Sequence, residues 1–189
     1  MNIFDTIYAR KSVRSYTGNK ISQSQMRQLL DAACASPIAV CRYENMHLTV
    51  VSDSVIMNAF EENDSRAKGQ ESHPFHGAPQ MIVISVKPFE SDLQNMEYAN
   101  AGIVAENICL AATALGIGSC MIWGTFRRAL ANQELLDMLK LPEGFIPCGA
   151  VIVGETEEKF APQKGRHCMK INSLGWTEEG KEINPFVNC

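Results

Sequence analysis

Three cations and a hydroxyl fall within five consecutive residues near the start of the chain: Arg10, Lys11, Ser12, Val13 and Arg14. Guanidinium groups present planar, forked donors that match phosphate oxygens, and a serine hydroxyl adds another donor. The chemistry open to such a set is the capture of an anion, a phosphate group above all; the alternative is a solvated run of surface charge. The remainder of the chain is acidic. Seventeen Lys and Arg stand against 21 Asp and Glu, giving a formal net charge of −4, so the cationic run stands out from its background. A second basic pair, Lys164 and Arg166, lies far downstream, and the two clusters could close on one anionic ligand. The acidic balance argues against a nucleic-acid partner, because a phosphate backbone needs an electropositive face.

Other chemistry-bearing residues are weaker. His73 and His76 are three apart, but Pro74, Gly77 and Pro79 surround them and no third ligand stands nearby, so no metal centre is expected. Cys41 adjoins Arg42, whose charge would favour the thiolate; the other reading is a pocket-wall or buried thiol. The pair Gly116 and Gly118 follows a helix-like run and precedes a strand-like one, the reverse of a dinucleotide fingerprint. Seven cysteines include no C-x-x-C pair, and Cys34, Cys109 and Cys148 sit in apolar runs as small hydrophobes. Free thiols in a reducing cytoplasm are expected, with no secretory signal. The longest apolar stretch, residues 99–122, is broken by Asn100, Glu106, Asn107 and glycines, which suits a buried helix and strand rather than a membrane span.

The elements that must position these residues follow from periodicity and punctuation. A helical turn over residues 3–7 precedes the cationic run. Ser22 and Gln25 form a capping-box pattern, and Met26, Leu29, Leu30, Ala33 and Cys34 recur at helical spacing until Pro37 forbids continuation. Residues 46–51 read as a strand. Residues 52–77 are polar and irregular: either a mobile cover over a site, or a loop with a short helix. Residues 81–86 are continuously apolar, as expected of a strand buried on both faces. A helix over residues 98–115, apolar nearly all round, belongs in a core or at a subunit interface. Asn132 caps a further helix carrying Leu135, Leu136, Met138 and Leu139, and residues 146–153 form the last clear strand. Strands separated by helices give an α/β or α+β sandwich.

Four segments, in this order, resemble the nitroreductase family of FMN-dependent oxidoreductases, in its short bacterial branch. They are Arg10 to Arg14; the run Ala35, Ser36, Pro37, Ile38, Ala39; the helix and turn from Glu106 and Asn107 through Leu115, Gly116, Ile117 and Gly118; and Lys164, Gly165, Arg166. The resemblance implies an α+β fold with a central, mostly antiparallel sheet flanked by helices. It implies one domain over residues 1–175 and a homodimer; the tail over residues 176–189, with Phe186 and Val187 too apolar for a purely disordered end, has packing over the partner subunit as one explanation. FMN would sit in a groove built by both subunits. Arg10, Lys11 and Ser12 would hold the phosphate and ribityl chain, Arg14 the N1 and O2 edge of the ring, and Lys164 and Arg166 the phosphate again. Pro37, Ile38 and Ala39 would approach the ring from the other subunit, and the backbone of Trp123 and Gly124 would face N5.

In place of the family's Asn-x-Gln-Pro stretch this chain has Val40, Cys41, Arg42, Tyr43, Glu44 and Asn45. Cys41, Arg42 and Tyr43 are therefore expected to shape the substrate pocket in their own way. Trp123 either stacks in that pocket or packs in the core. The implied activity is FMN-dependent, NAD(P)H-linked reduction of a nitroaromatic, quinone or similar small acceptor. Alternatives are a specialised dehydrogenase or dehalogenase of the same fold, a non-catalytic FMN-binding protein, and a thiol-rich domain with no flavin.

Overall fold

The computed structural model describes residues 1–90, 93–163, 174, 177–178 and 181–182. Lys164 and Arg166 lie outside the described residues, as does nearly all of the tail. A four-stranded sheet forms the middle layer: β1 (Met46–Val51), β2 (Gln80–Val86), β3 (Gly118–Ile122) and β4 (Ile146–Gly154), in spatial order β1-β2-β4-β3. Every neighbouring pair in it is antiparallel. A two-residue hairpin, β5 (Thr177–Glu178) with β6 (Lys181–Glu182), stands apart.

Alternation along β2 and β4 divides the core in two. Ile82, Ile84, Val151 and Val153 face one side of the sheet, where Leu29 and Ile108 pack on them. Met81, Val83, Ala150 and Ile152 face the other, against Phe60 and Phe126. Successive strand side chains point to opposite faces, so a continuous apolar run must be covered twice. The first cover is α2 (Gln23–Cys34) and α4 (Asn95–Ala114), with α1 (Ile3–Ala9) against α4. The second is α3 (Ser54–Lys68), α5 (Gly124–Ala129) and α6 (Gln133–Asp137). The result is the sandwich expected.

The capping box of α2 is present in full: Ser22 Oγ accepts from the Gln25 N–H, and the Gln25 side chain accepts from the Ser22 N–H. Residues 52–77 are a helix followed by a loop, and the helix is longer than expected. They hold α3, four turns long, started by the Asp53 carboxylate on the Val55 N–H at 2.8 Å and stopped by Gly69 at φ 67°. Its inner stripe is Met57, Phe60, Asn63 and Asp64, half of it polar, which hides the helical period from a hydrophobicity reading. The short α5 starts directly after β3 with no Ser, Thr, Asp or Asn cap, so nothing in its sequence announces it. The helix capped by Asn132 ends at Asp137, short of Leu139. Cys109, Cys120 and Cys148 are buried, but Cys34, expected to pack as a hydrophobe, is exposed at the end of α2. Among the described residues no helix is long and apolar enough to cross a membrane.

Trp123 is half-buried and packs on the core, beside β4. The register of β2 against β4 slips between Ile84 and Ser85, and Gly149 stands at the irregularity. A Cβ on Gly149 would lie 2.5 Å from Trp123 Cε3 and 2.9 Å from the Ile122 carbonyl oxygen. The indole therefore occupies the space a side chain would take, and Trp123 packs on the sheet. Gly149→Ala should cost about 1–3 kcal/mol by overpacking, read as a lower urea midpoint with an unchanged m-value.

Candidate functional site

The cationic run is fastened by its one apolar member. Val13 is fully buried, and its N–H donates to the Ser119 carbonyl on β3 at 2.9 Å. Two positions apart in extended backbone fall on one side, and Ser12 and Arg14, flanking Val13, are both exposed. Tyr16 anchors the far end. Gly118 pairs with Gly154 across β3 and β4, and Cβ atoms on them would stand 2.9 and 3.1 Å from the Tyr16 ring. The paired glycines thus form a seat for Tyr16, whose hydroxyl donates to the Val13 carbonyl at 3.0 Å. Glycine within a strand signals such close approach, and this signal was available in the sequence.

Arg10 and Lys11 are held by carboxylates. Arg10 Nε lies 3.2 Å from Glu106 Oε1 on α4, and Lys11 Nζ lies 2.6 Å from Glu158 Oε2 and 5.6 Å above the Phe160 ring. Burial pushes the Glu106 carboxyl upward, and the Arg10 charge pulls it back. The donor set is thus two oriented cations, one exposed guanidinium and one exposed hydroxyl on a short loop. It fits a phosphate monoester and the polyol chain of a cofactor such as FMN.

The second segment also hangs from α4. Asn107 Nδ2 donates to Ser36 Oγ at 2.9 Å, and the Ala39 N–H donates to Asn100 Oδ1 at 3.0 Å. Between them Pro37 is exposed and Ile38 is buried. Cys41, Arg42 and Tyr43 are exposed beyond, with the Arg42 guanidinium 4.3 Å over the Phe89 ring. Glu106 and Asn107 are adjacent, so one helix fixes both the cationic run and the Pro37 segment.

Trp123 and Gly124 lie at the junction of β3 and α5. A Cβ on Gly124 would stand 3.1 Å from the Arg128 guanidinium. Arg128 Nε in turn donates to Asp64 Oδ1 at 2.6 Å, and the fully buried Asp64 also meets Lys68 Nζ and Ser72 Oγ at 2.7 Å. Burial would raise the Asp64 carboxyl, but hydrogen bonds from Lys68, Ser72 and Arg128 prevail and bring it to about 2. Nothing local in the sequence pairs Asp64 with Arg128. His73 faces Glu61 and Glu71 at 3.3 and 3.1 Å, and no metal-binding group of three or more His, Cys, Asp or Glu forms among the described residues.

A model described as the nitroreductase family matches residues 7–155 of the chain. A protein of Archaeoglobus fulgidus, provisionally named NADH dehydrogenase/NAD(P)H nitroreductase, is 29% identical over 169 residues, covering 84% of this chain and 92% of that one. A Bacillus subtilis protein named FMN reductase (NAD(P)H) is 23% identical over 181 residues, covering 84% of this chain and 68% of its own. The crystal structure of a nitroreductase with bound FMN from Bacteroides fragilis superposes with a TM-score of 0.77 at 25% identity, covering 92% of this chain and 99% of that one.

The Asp64 cluster supports the turn at Gly124 and has a pH signature. Its folded pKa, about 2, lies below the ordinary value of an unfolded aspartate. Its contribution to stability is therefore complete above the unfolded value and is lost as pH falls through the folded one. Unfolding free energy should decline from about pH 4 toward pH 2. Asp64→Asn should flatten part of that decline and cost about 3 kcal/mol at neutral pH, the low end for a broken buried pair because Lys68 and Arg128 keep access to water. Urea titrations across this range check both.

Proposed function

Because the chain belongs to the nitroreductase family, we propose that it is an FMN-dependent NAD(P)H oxidoreductase acting on small electron-poor acceptors such as nitroaromatics or quinones. The observation that carries this reading is the Arg10–Arg14 run, pinned to β3 through the buried Val13 with Ser12 and Arg14 exposed on either side of it. Arg10, Lys11 and Ser12 bind the phosphate and ribityl chain, joined by Lys164 and Arg166. When bound, FMN supplies hydride acceptance from NADH or NADPH at N5 and its delivery to the acceptor.

The chain's own residues bind, orient and bias. Arg14 contributes an exposed cation that favours the extra negative charge of a reduced ring. The backbone at Trp123 and Gly124 offers donors at a position where glycine permits close approach. Cys41, Arg42 and Tyr43 form the rim that the acceptor meets. No general acid, base or nucleophile is required of the protein.

The reading includes a homodimer in a reducing cytoplasm. Ile3, Phe4 and Ile7 on α1, and Tyr98 and Ile103 on α4, are large apolar side chains left exposed on one protomer. A second copy is the natural cover for such a surface. Pro37, Ile38 and Ala39 then meet the ring bound chiefly by the partner.

The purified protein should be yellow, and its flavin bands should bleach on anaerobic addition of NADH or NADPH and return when a quinone is added. Initial rates at varied donor and acceptor should give the parallel lines of a ping-pong mechanism; intersecting lines would contradict a single shared site. Arg10→Ala and Arg14→Ala should each weaken FMN binding by about 1.5–3 kcal/mol, measured by fluorescence titration. Protein that is colourless and takes up no added FMN would refute the assignment.

A further inference from the structure

Val40 and Cys41 are consecutive residues in left-handed backbone, at φ 57° and 56°. Neither is glycine, and Val40 is β-branched, the kind of side chain least tolerant of that region. Val40 is 73% exposed, so packing does not force it there. Such a conformation persists only where its surroundings over-determine it.

The restraints lie on either side of the pair. The Cys41 N–H donates to the Ile38 carbonyl at 3.0 Å, closing the turn on itself. Ile38 is buried, and Arg42 lies against Phe89. The link to the body of the protein at the strained residues' doorstep is the Ala39 N–H, held at 3.0 Å by Asn100 Oδ1. Asn100 is 4% exposed on the buried side of α4, among Ala101, Val104 and Ala105. Asparagine is a poor helix former, and burying its amide is unfavourable unless it is bonded. Seven residues on, two turns along the same stripe, Asn107 grips Ser36 on the other side of Pro37.

We infer that Asn100 is a positioning residue: through the Ala39 N–H it holds residues 37–41, with their two left-handed members, in the shape that meets the cofactor. This rests on the FMN reading of the preceding section. Asn100 touches no reacting atom. It contributes by ordering the segment before binding, so that FMN does not bear that cost. What the segment requires of Asn100 is an acceptor oxygen, which aspartate also supplies and leucine does not.

The test uses the full-length protein, with Asn100→Leu, Asn100→Asp and Asn107→Leu, and reads FMN affinity together with amide hydrogen exchange at Ala39. Asn100→Leu should weaken FMN about tenfold, and Asn100→Asp should stay within about threefold of wild type. Ala39 exchange, slow in wild type without FMN, should become fast in Asn100→Leu and stay slow in Asn100→Asp. Asn107→Leu, which leaves the Ala39 bond in place, should keep Ala39 slow. Equal loss of affinity in the Leu and Asp variants, or unchanged affinity in Asn100→Leu, would overturn the inference. Should Asn100→Leu fail to fold, fast Ala39 exchange in the wild type would overturn it, and slow exchange retained in Asn107→Leu would support it. A wild-type protein that binds no FMN would refute the functional reading alone, since Ala39 exchange still reports the anchor.

Discussion

Helix α4 is the constraint from which the rest of the arrangement follows. Its burial against β2, β3 and β4 supplies much of the driving force on one side of the sheet, because its apolar positions leave water together. Yet it carries Glu97, Asn100, Glu106 and Asn107. A polar group taken from water without a partner costs more than a hydrogen bond returns, so the buried Glu97 and Asn100 must find one, and the half-buried Glu106 and Asn107 find one too. The partners are loops. Glu97, 1% exposed, accepts from the Phe89 and Gln94 N–H groups; Asn100 takes Ala39, Glu106 takes Arg10 and Asn107 takes Ser36. Satisfying the helix and placing the functional segments are therefore one requirement. A drift of the Phe89 or Ala39 segment would leave the buried Glu97 or Asn100 without its partner.

The sheet imposes a second requirement of the same kind, written in absent side chains. Gly118, Gly149 and Gly154 each leave room that an aromatic ring or a proline fills: Tyr16 over Gly118 and Gly154, Pro79 also against Gly154, and Trp123 against Gly149. Strand glycines weaken a sheet taken alone. Here the loss is offset by contacts that bring the cationic loop and the start of α5 onto the sheet. Tyr16 illustrates the degree of enclosure: burial is the main cause that drives its hydroxyl far above the ordinary tyrosine range, so it serves as a neutral donor to Val13.

Sequence alone carried the elements whose evidence is local. The run from Met81 to Val86 is apolar without interruption and is buried throughout, and the Ser22 and Gln25 pattern specifies its cap by two bonds within one turn. The grouping of Arg10, Lys11, Ser12 and Arg14 is equally visible, as is the need for partners at Glu106 and Asn107. The long-range pairings were not visible. Asp64 meets Arg128 across 64 positions, and Asn100 meets Ala39 across 61, with no periodicity linking either pair. The polar half of the α3 stripe is used in tertiary bonds, Asp64 to Arg128 on α5 and Asn63 to Asn132 at the start of α6, and that use is what disguised the helix as a loop.

The preformed ion pairs decide how such a site can bind. Arg10 and Lys11 already have carboxylate partners, so under the proposed reading an arriving phosphate would exchange part of an existing attraction rather than meet a bare cation. The gain in affinity is smaller than a count of charges suggests. In return, Glu106 and Glu158 relieve repulsion among three neighbouring cations and keep two of them oriented, so little side-chain entropy is lost on binding. Arg14 is exposed and lacks an ion pair with any described residue, which leaves its charge available. In the proposed reading that division suits flavin chemistry: the paired cations would hold a group whose charge is constant, while Arg14 would face one whose charge changes with reduction. Where the cofactor performs the reaction, the protein's selectivity resides in such placement, and α4 is where placement is set.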